Sequence, residues 1–200
     1  MKTKNRKFIF ASILSVLLLF LFFSMSPDKI ENDITQLDDN SYLELKGTVR
    51  QSKGGINQET VPLDSAIIIA SSDDIAYSYK MTNKKGKYTL RLPLDKKFKI
   101  EVTKQGFVTK CFEVNTKVPY EKRKAFSFSF EIDIFEDLKG LDVSVLKKPI
   151  AKISYNGLQK DFVYDEKYTS HINLSLKKMY ENYYMLQKVD NDSISNSLKK

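Results

Sequence analysis

Between Phe126 and Ile134 every second residue is large and apolar: Phe126, Phe128, Phe130, Ile132 and Ile134 alternate with Ser127, Ser129, Glu131 and Asp133. A helix scatters such a set around its circumference, whereas a strand places alternate side chains on one face. The stretch therefore predicts a strand with one buried and one solvated side. The same period recurs upstream. Leu43, Leu45, Gly47 and Val49 alternate with Glu44, Lys46, Thr48 and Arg50, and Tyr88, Leu90 and Leu92 with Thr89 and Arg91. Phe98, Ile100 and Val102 alternate with Lys99, Glu101 and Thr103.

Three weaker runs complete the set. The Ile-rich Ala66–Ala70 run reads as a strand covered on both sides, Ala76–Thr82 as a further strand, and Phe107–Asn115 as one whose Phe112 and Val114 face inward. Asn83–Gly86 and Gln105–Gly106 supply turn chemistry between runs. Residues 88–103 are expected to form two antiparallel neighbours joined through Pro93–Lys97. Seven short strands without an intervening amphipathic helix predict an all-β fold, a seven-stranded Greek-key β-sandwich over residues 42–136.

Gly86, Tyr88, Leu90, Leu94, Phe98, Ile100, Val102, Gly106 and Phe107 together form an arrangement that resembles the carboxypeptidase regulatory-like domains, transthyretin-like sandwiches of secreted bacterial proteins. The resemblance covers residues 43–135, and Lys96 stands where that family usually carries a glycine. It implies a noncatalytic fold-support or interaction module of the kind found in Bacteroidetes-type envelope proteins. The zinc chemistry in the family's name belongs to a separate catalytic domain.

The amino-terminal residues 1–26 read differently. Phe8–Met25 is an uncharged run broken only by Ser12, Ser15 and Ser24. As a helix it rises about 27 Å, against a hydrocarbon core of roughly 30 Å. Lys2, Lys4, Arg6 and Lys7 precede it, and acidic residues dominate the segment that follows. The positive-inside rule then predicts a cytoplasmic N-terminus with the bulk of the chain exported to the periplasm. Ser24 and Ser26 have the spacing of a signal-peptide cleavage site, but Pro27 directly after them disfavours cleavage. The expectation is a single-pass signal-anchor in the cytoplasmic (inner) membrane through residues 8–25. Residues 27–41 lack apolar periodicity and read as a tether.

A carboxy-terminal extension over residues 137–188 contains turn chemistry at Asn156–Gly157 and, from Asp165, a helical period. Tyr168, Ile172, Leu176, Met179, Tyr183 and Leu186 recur at three or four residues, with Asp165 or Thr169 as the cap. The helix is expected to end near Lys188, leaving residues 189–200 as a disordered tail.

Composition then limits the chemistry. The net charge is +8, but four basic residues lie before Phe8, which leaves +4 spread among acidic neighbours and predicts no nucleic-acid partner. One histidine and one cysteine exclude a His/Cys zinc set and an internal disulfide. His171 has no nucleophile elbow to serve, and Cys111 within a strand reads as a buried thiol. Asp73–Asp74, Asp38–Asp39 and the Glu131/Asp133 pair read as solvated carboxylates rather than metal or glycosidase groups. Lys96, Lys97, Lys99, Lys104, Lys110, Lys117, Lys122, Arg123 and Lys124 read chiefly as surface lysines and arginine. The expected function is that of a membrane-anchored protein, not an enzyme and without cofactor or metal, whose sandwich and helix bind another envelope protein. Tyr180, Tyr183 and Tyr184 are the expected contact residues. The alternative is a carbohydrate-binding module for an exported polysaccharide, using exposed tyrosines and loop carboxylates.

Overall fold

The computed structural model describes residues 40–53 and 59–197. In chain order the strands are β1 (Tyr42–Ser52), β2 (Thr60–Pro62), β3 (Ile67–Ser72), β4 (Ile75–Met81), β5 (Lys87–Pro93) and β6 (Lys97–Thr103). They continue with β7 (Lys110–Asn115), β8 (Phe126–Ser129), β9 (Ile132–Ile134), β10 (Lys152–Asn156) and β11 (Asp161–Tyr164), and a helix, α1 (Glu166–Ser197), closes the fold.

Two sheets face one another. In the first, β1 pairs antiparallel with β5 and β2, and parallel with β8 and β9. The second runs β11-β10-β7-β6-β3-β4, antiparallel except where β10 lies parallel to β7. The alternating residues of both sheets meet between them: Leu43, Leu45, Leu90 and Leu92 from one side, Ile68, Phe98, Ile100, Phe112 and Val114 from the other. Phe112 and Phe130 stack across the interior with centroids 4.1 Å apart. Burying each such side chain stabilises by about 1.5–3 kcal/mol relative to exposure, which is why the alternation dictates a sandwich.

Several expectations are corrected. Within residues 42–136 nine strand segments are described where seven were expected, β10 and β11 follow, and the parallel pairings make both sheets mixed rather than an antiparallel Greek key. β5 and β6 are not hairpin partners; they lie in different sheets. The crossing between them is held by Thr116, whose buried Oγ1 accepts from Lys96 N at 3.0 Å and donates to the Pro93 carbonyl at 2.7 Å. Period-two patterning is blind to this choice, because each strand alternates identically whichever sheet it joins.

The Phe126–Ile134 run is itself interrupted at Phe130–Glu131, between β8 and β9. β3 is covered on one face only, since Ile67 remains exposed while Ile68 is buried. The β10–β11 hairpin extends the second sheet beyond residue 136, so the sandwich draws on the expected carboxy-terminal extension. α1 passes Lys188 and runs to Ser197, into the segment expected to be a disordered tail.

The start of α1 follows the sequence. Asp165 Oδ1 accepts from Tyr168 N at 2.9 Å, satisfying one of the free amides of the first turn. Ile172, Leu176, Met179 and Tyr183 then pack with Val108, Phe135 and Leu146 in a second apolar cluster outside the sandwich interior. Among the described residues no helix is long and apolar enough to cross a membrane. The anchor at Phe8–Met25 and the tether through residue 39 lie outside the described residues.

Candidate functional site

Two surfaces stand out, one beneath α1 and one at the edge of the second sheet. The first is an open cleft of about 450 Å³ lined by Ser52 of β1, Thr60 of β2, Asp133 of β9, and Lys177, Tyr180, Glu181 and Tyr184 of α1. Helical spacing puts these four α1 residues on adjoining turns, facing the end of the first sheet. Asp133 is held by Arg50, whose Nε donates to Oδ1 at 2.8 Å, while Arg50 also pairs with Glu131 at 3.0 Å. That hydrogen bond raises the Arg50 pKa against the opposing effect of burial. The Tyr180 and Tyr184 rings stack with centroids 6.2 Å apart.

The three tyrosines divide between packing and exposure. Tyr183 is fully buried, its ring 4.4 Å from Phe135 and its hydroxyl accepting from Gln187 Nε2 at 2.7 Å. It therefore offers no surface to a partner in this arrangement. Tyr180 and Tyr184 are half-buried and keep one side toward the cleft. The helix uses its aromatic stripe first to bind its own sandwich.

Lys110 is the residue whose role sequence reading misplaced. It was expected among surface lysines and is instead buried, with Nζ donating to the Tyr180 hydroxyl and the Asp133 carbonyl. The ammonium also sits 5.0 Å from the Tyr180 ring centroid and 5.3 Å from that of Phe135. Burial pulls its pKa down to about 8, partly offset by the Asp133 charge. Burial likewise pushes the Tyr180 hydroxyl well above its ordinary value. Val108 and Cys111 are buried beside it, but a lone Lys between Thr109 and Cys111 carries no pattern that distinguishes it from a solvated one.

The second surface is β4. It pairs with β3 on one side and has no strand on the other among the described residues. Its connection to β3 is the two-residue turn Asp73–Asp74, both at positive φ (51° and 60°), the geometry that matches strand twist in a tight hairpin. Ile75, Tyr79 and Met81 are 73%, 71% and 56% exposed, and Tyr77 is also exposed, its ring edge on Phe98 at 5.4 Å. Lys80 is the strand's one charge. Across β3, Ile67 lies opposite Met81 and Ile69 opposite Tyr79, so the apolar surface is two strands wide. The signal in the sequence was large apolar residues at 75, 77, 79 and 81, which fit a strand but not a buried one.

The remaining candidates separate. Cys111 is buried, and burial raises its thiol pKa, as expected for an unreactive thiol. His171 is exposed on α1. Lys97 and Lys99 pair with Glu113 and Glu101 at 3.1 and 2.9 Å, and Arg123 pairs with Asp95, so the basic set is partly neutralised. Among the described residues no group of three or more His, Cys, Asp and Glu is placed to hold a metal ion.

No family model matches the chain, and no curated protein matches it. Among solved structures, 3-chlorocatechol 1,2-dioxygenase from Rhodococcus opacus is similar over 50% of this chain and 62% of its own, at 12% identity and a TM-score of 0.34. Catechol 1,2-dioxygenase from Acinetobacter is similar over 57% of this chain and 59% of its own, at 13% identity and a TM-score of 0.38. The minor pilin GBS52 of Streptococcus agalactiae is similar over 50% and 47%, at 11% identity and a TM-score of 0.34. Each match spans less than two thirds of the other protein's length, and none carries its chemistry to this chain.

Proposed function

We propose that the chain is a noncatalytic, membrane-anchored cell-envelope protein whose β-sandwich, of the carboxypeptidase regulatory-like kind, docks another envelope protein along the open edge of β4. The carrying observation is the exposure of Ile75, Tyr79 and Met81 on a strand that has no neighbour on its outer side among the described residues. Edges left in water are ordinarily short, bulged, charged or covered. β4 has two of these devices, one lysine and a bulge where its pairing with β3 shifts at Ala70/Ser71, but at seven residues it is not short, and Ile75, Tyr79 and Met81 stay exposed. A partner strand laid against it satisfies the outward backbone groups and covers the large side chains. Anchoring through Phe8–Met25 would hold this surface outside the cytoplasmic membrane.

A photo-reactive residue at position 79 of the full-length chain, irradiated in its native membrane, is expected to form a crosslink to a protein, and Tyr77→Lys in the same chain to reduce it at least fivefold. Absence of any crosslink from position 79 overturns the docking reading. Sequencing of the membrane-extracted protein tests the anchor: a start near residue 27 refutes it.

The cleft beneath α1 favours a second reading, polysaccharide binding, because stacked tyrosines beside Asp133, Glu181, Ser52 and Thr60 combine a ring surface with hydrogen-bonding groups. On that reading saturable binding of envelope polysaccharide by the full-length chain falls at least tenfold in Tyr184→Ala. An unchanged isotherm removes it.

A further inference from the structure

We propose that the strand completing β4 is the β4 of a second copy of this chain, paired antiparallel about a two-fold axis at Tyr79. The inference rests on the reading of β4 as a docking edge and narrows its occupant, the envelope protein docked there being a second copy of the chain. An antiparallel two-fold pairing centred on Tyr79 sets Tyr79 beside its own mate, Tyr77 beside Met81, and Lys80 beside Ser78, so the lone charge of the strand never faces itself. The six-stranded sheets of two copies then continue into one another.

Charge at the two ends of β4 selects this pairing. Before the strand lies the acidic turn Asp73–Asp74, and after it the basic pair Lys84–Lys85, all four exposed. Antiparallel pairing about Tyr79 brings the Asp73–Asp74 turn of one copy toward the Lys84–Lys85 turn of the other, each just beyond the paired strand, and the symmetry repeats the match at the other end. A parallel pairing would set acid against acid and base against base, which is unfavourable. The patch formed by Ile67, Ile69, Tyr79 and Met81 in each copy becomes continuous across the axis.

The opposite edge of the sheet does not compete. β11 has four residues, and its Phe162 and Tyr164 rings are already packed on Phe126 and Phe128, with centroids 5.3 and 5.1 Å apart. Pairing β4 with itself is therefore isologous and closes at two copies, where a β4-to-β11 contact would propagate.

The test uses full-length Tyr79→Cys in its native membrane. Cys111 is the chain's only native cysteine and is buried, so the new thiol is the reactive one. Directly opposed residues of an antiparallel pair have Cα atoms about 4.5–5.5 Å apart, within reach of a disulfide. Mild oxidation is expected to convert most of the chain to a reducible species of twice 23.1 kDa, at least fivefold more than Leu174→Cys on the exposed face of α1. Adding D73K and D74K is expected to cut that yield severalfold, and adding K84D and K85D as well to restore it. A disulfide no more abundant than from position 174, or a charge exchange without restoration, overturns the pairing. If position 79 crosslinks to a different protein instead, the second copy is excluded while the docking edge stands. If it crosslinks to nothing, both fall.

Discussion

Gly47→Ala is expected to destabilise the fold by about 3 kcal/mol or more, at or beyond the upper end of the roughly 1–3 kcal/mol typical of overpacked cores. A Cβ built at Gly47 would stand 1.8 Å from the Phe130 carbonyl oxygen and 2.7 Å from its carbon. Both atoms are backbone, so no rotamer change relieves the contact. Phe130 N donates to the Lys46 carbonyl at 2.9 Å, and the Tyr88 hydroxyl donates to the Phe130 carbonyl at 2.9 Å. The Phe130–Glu131 interruption is thus fixed from β1 and from β5 at once, and moving it disturbs both. Against a typical total stability of about 5–15 kcal/mol this is a large loss. Urea unfolding of the full-length chain measures it, with Gly157→Ala as the control: nothing lies within 4 Å of a Cβ there, and a change within about 0.5 kcal/mol is expected. Equal stability of the two variants would mean that β1 does not approach Phe130 as described.

The second large effect is a pH dependence set by Lys110. Unfolded lysines titrate near 10.4, and in the folded protein burial lowers this one to about 8. Between those values the unfolded chain binds more protons, so stability rises with pH across that window. Below pH 8 both states are protonated and the full cost of the buried ammonium is present, about 3 kcal/mol from the separation of the two values. Wild type minus Lys110→Met, followed by urea unfolding from pH 7 to 10, is therefore expected to increase by that order. Above pH 10 the tyrosines act in the opposite direction. Burial raises Tyr183 to about 12 and Tyr88 and Tyr180 further. The unfolded chain then releases protons that the folded one retains, and stability is lost as pH climbs. Tyr180 touches Lys110, so its part of that decline differs between wild type and variant, and the comparison is confined to pH 7 to 10, below it. A flat difference between pH 7 and 10 would show that the amine is solvated.

Lys110 also marks the limit of reading by periodicity. Lys110 alternates with Phe112 and Val114 along β7 and is buried where Tyr180 of α1 and the Asp133 carbonyl close over it, while Cys111 on the other face is buried beside Val143 and Leu146. A lysine entering such a space looks, in sequence, like one facing water. The helix carried its own answer: Ile172, Leu176, Met179 and Tyr183 recur at helical spacing and are buried, so the amphipathic stripe was legible although its length and its docking site were not. Of the expected contact tyrosines, Tyr183 is consumed by that docking.

Alternation by itself determined that the chain folds as strands in apposed layers, because the expulsion of Leu45, Leu90, Phe98 and Ile100 from water acts on each strand separately and reads only the period. Turn chemistry likewise fixed local reversals at Asn83–Gly86 and Gln105–Gly106, where the requirement is met within a few residues. Which strand lies beside which was decided only in three dimensions. The split of β5 and β6 between sheets, the parallel pairing of β1 with β8 and β9, the burial of Lys110 and the place of β4 at the end of its sheet among the described residues depend on contacts between residues far apart in the chain. Backbone hydrogen bonds are chemically the same whichever strand supplies them, so the sequence of one strand does not name its neighbour; the packing of the whole does.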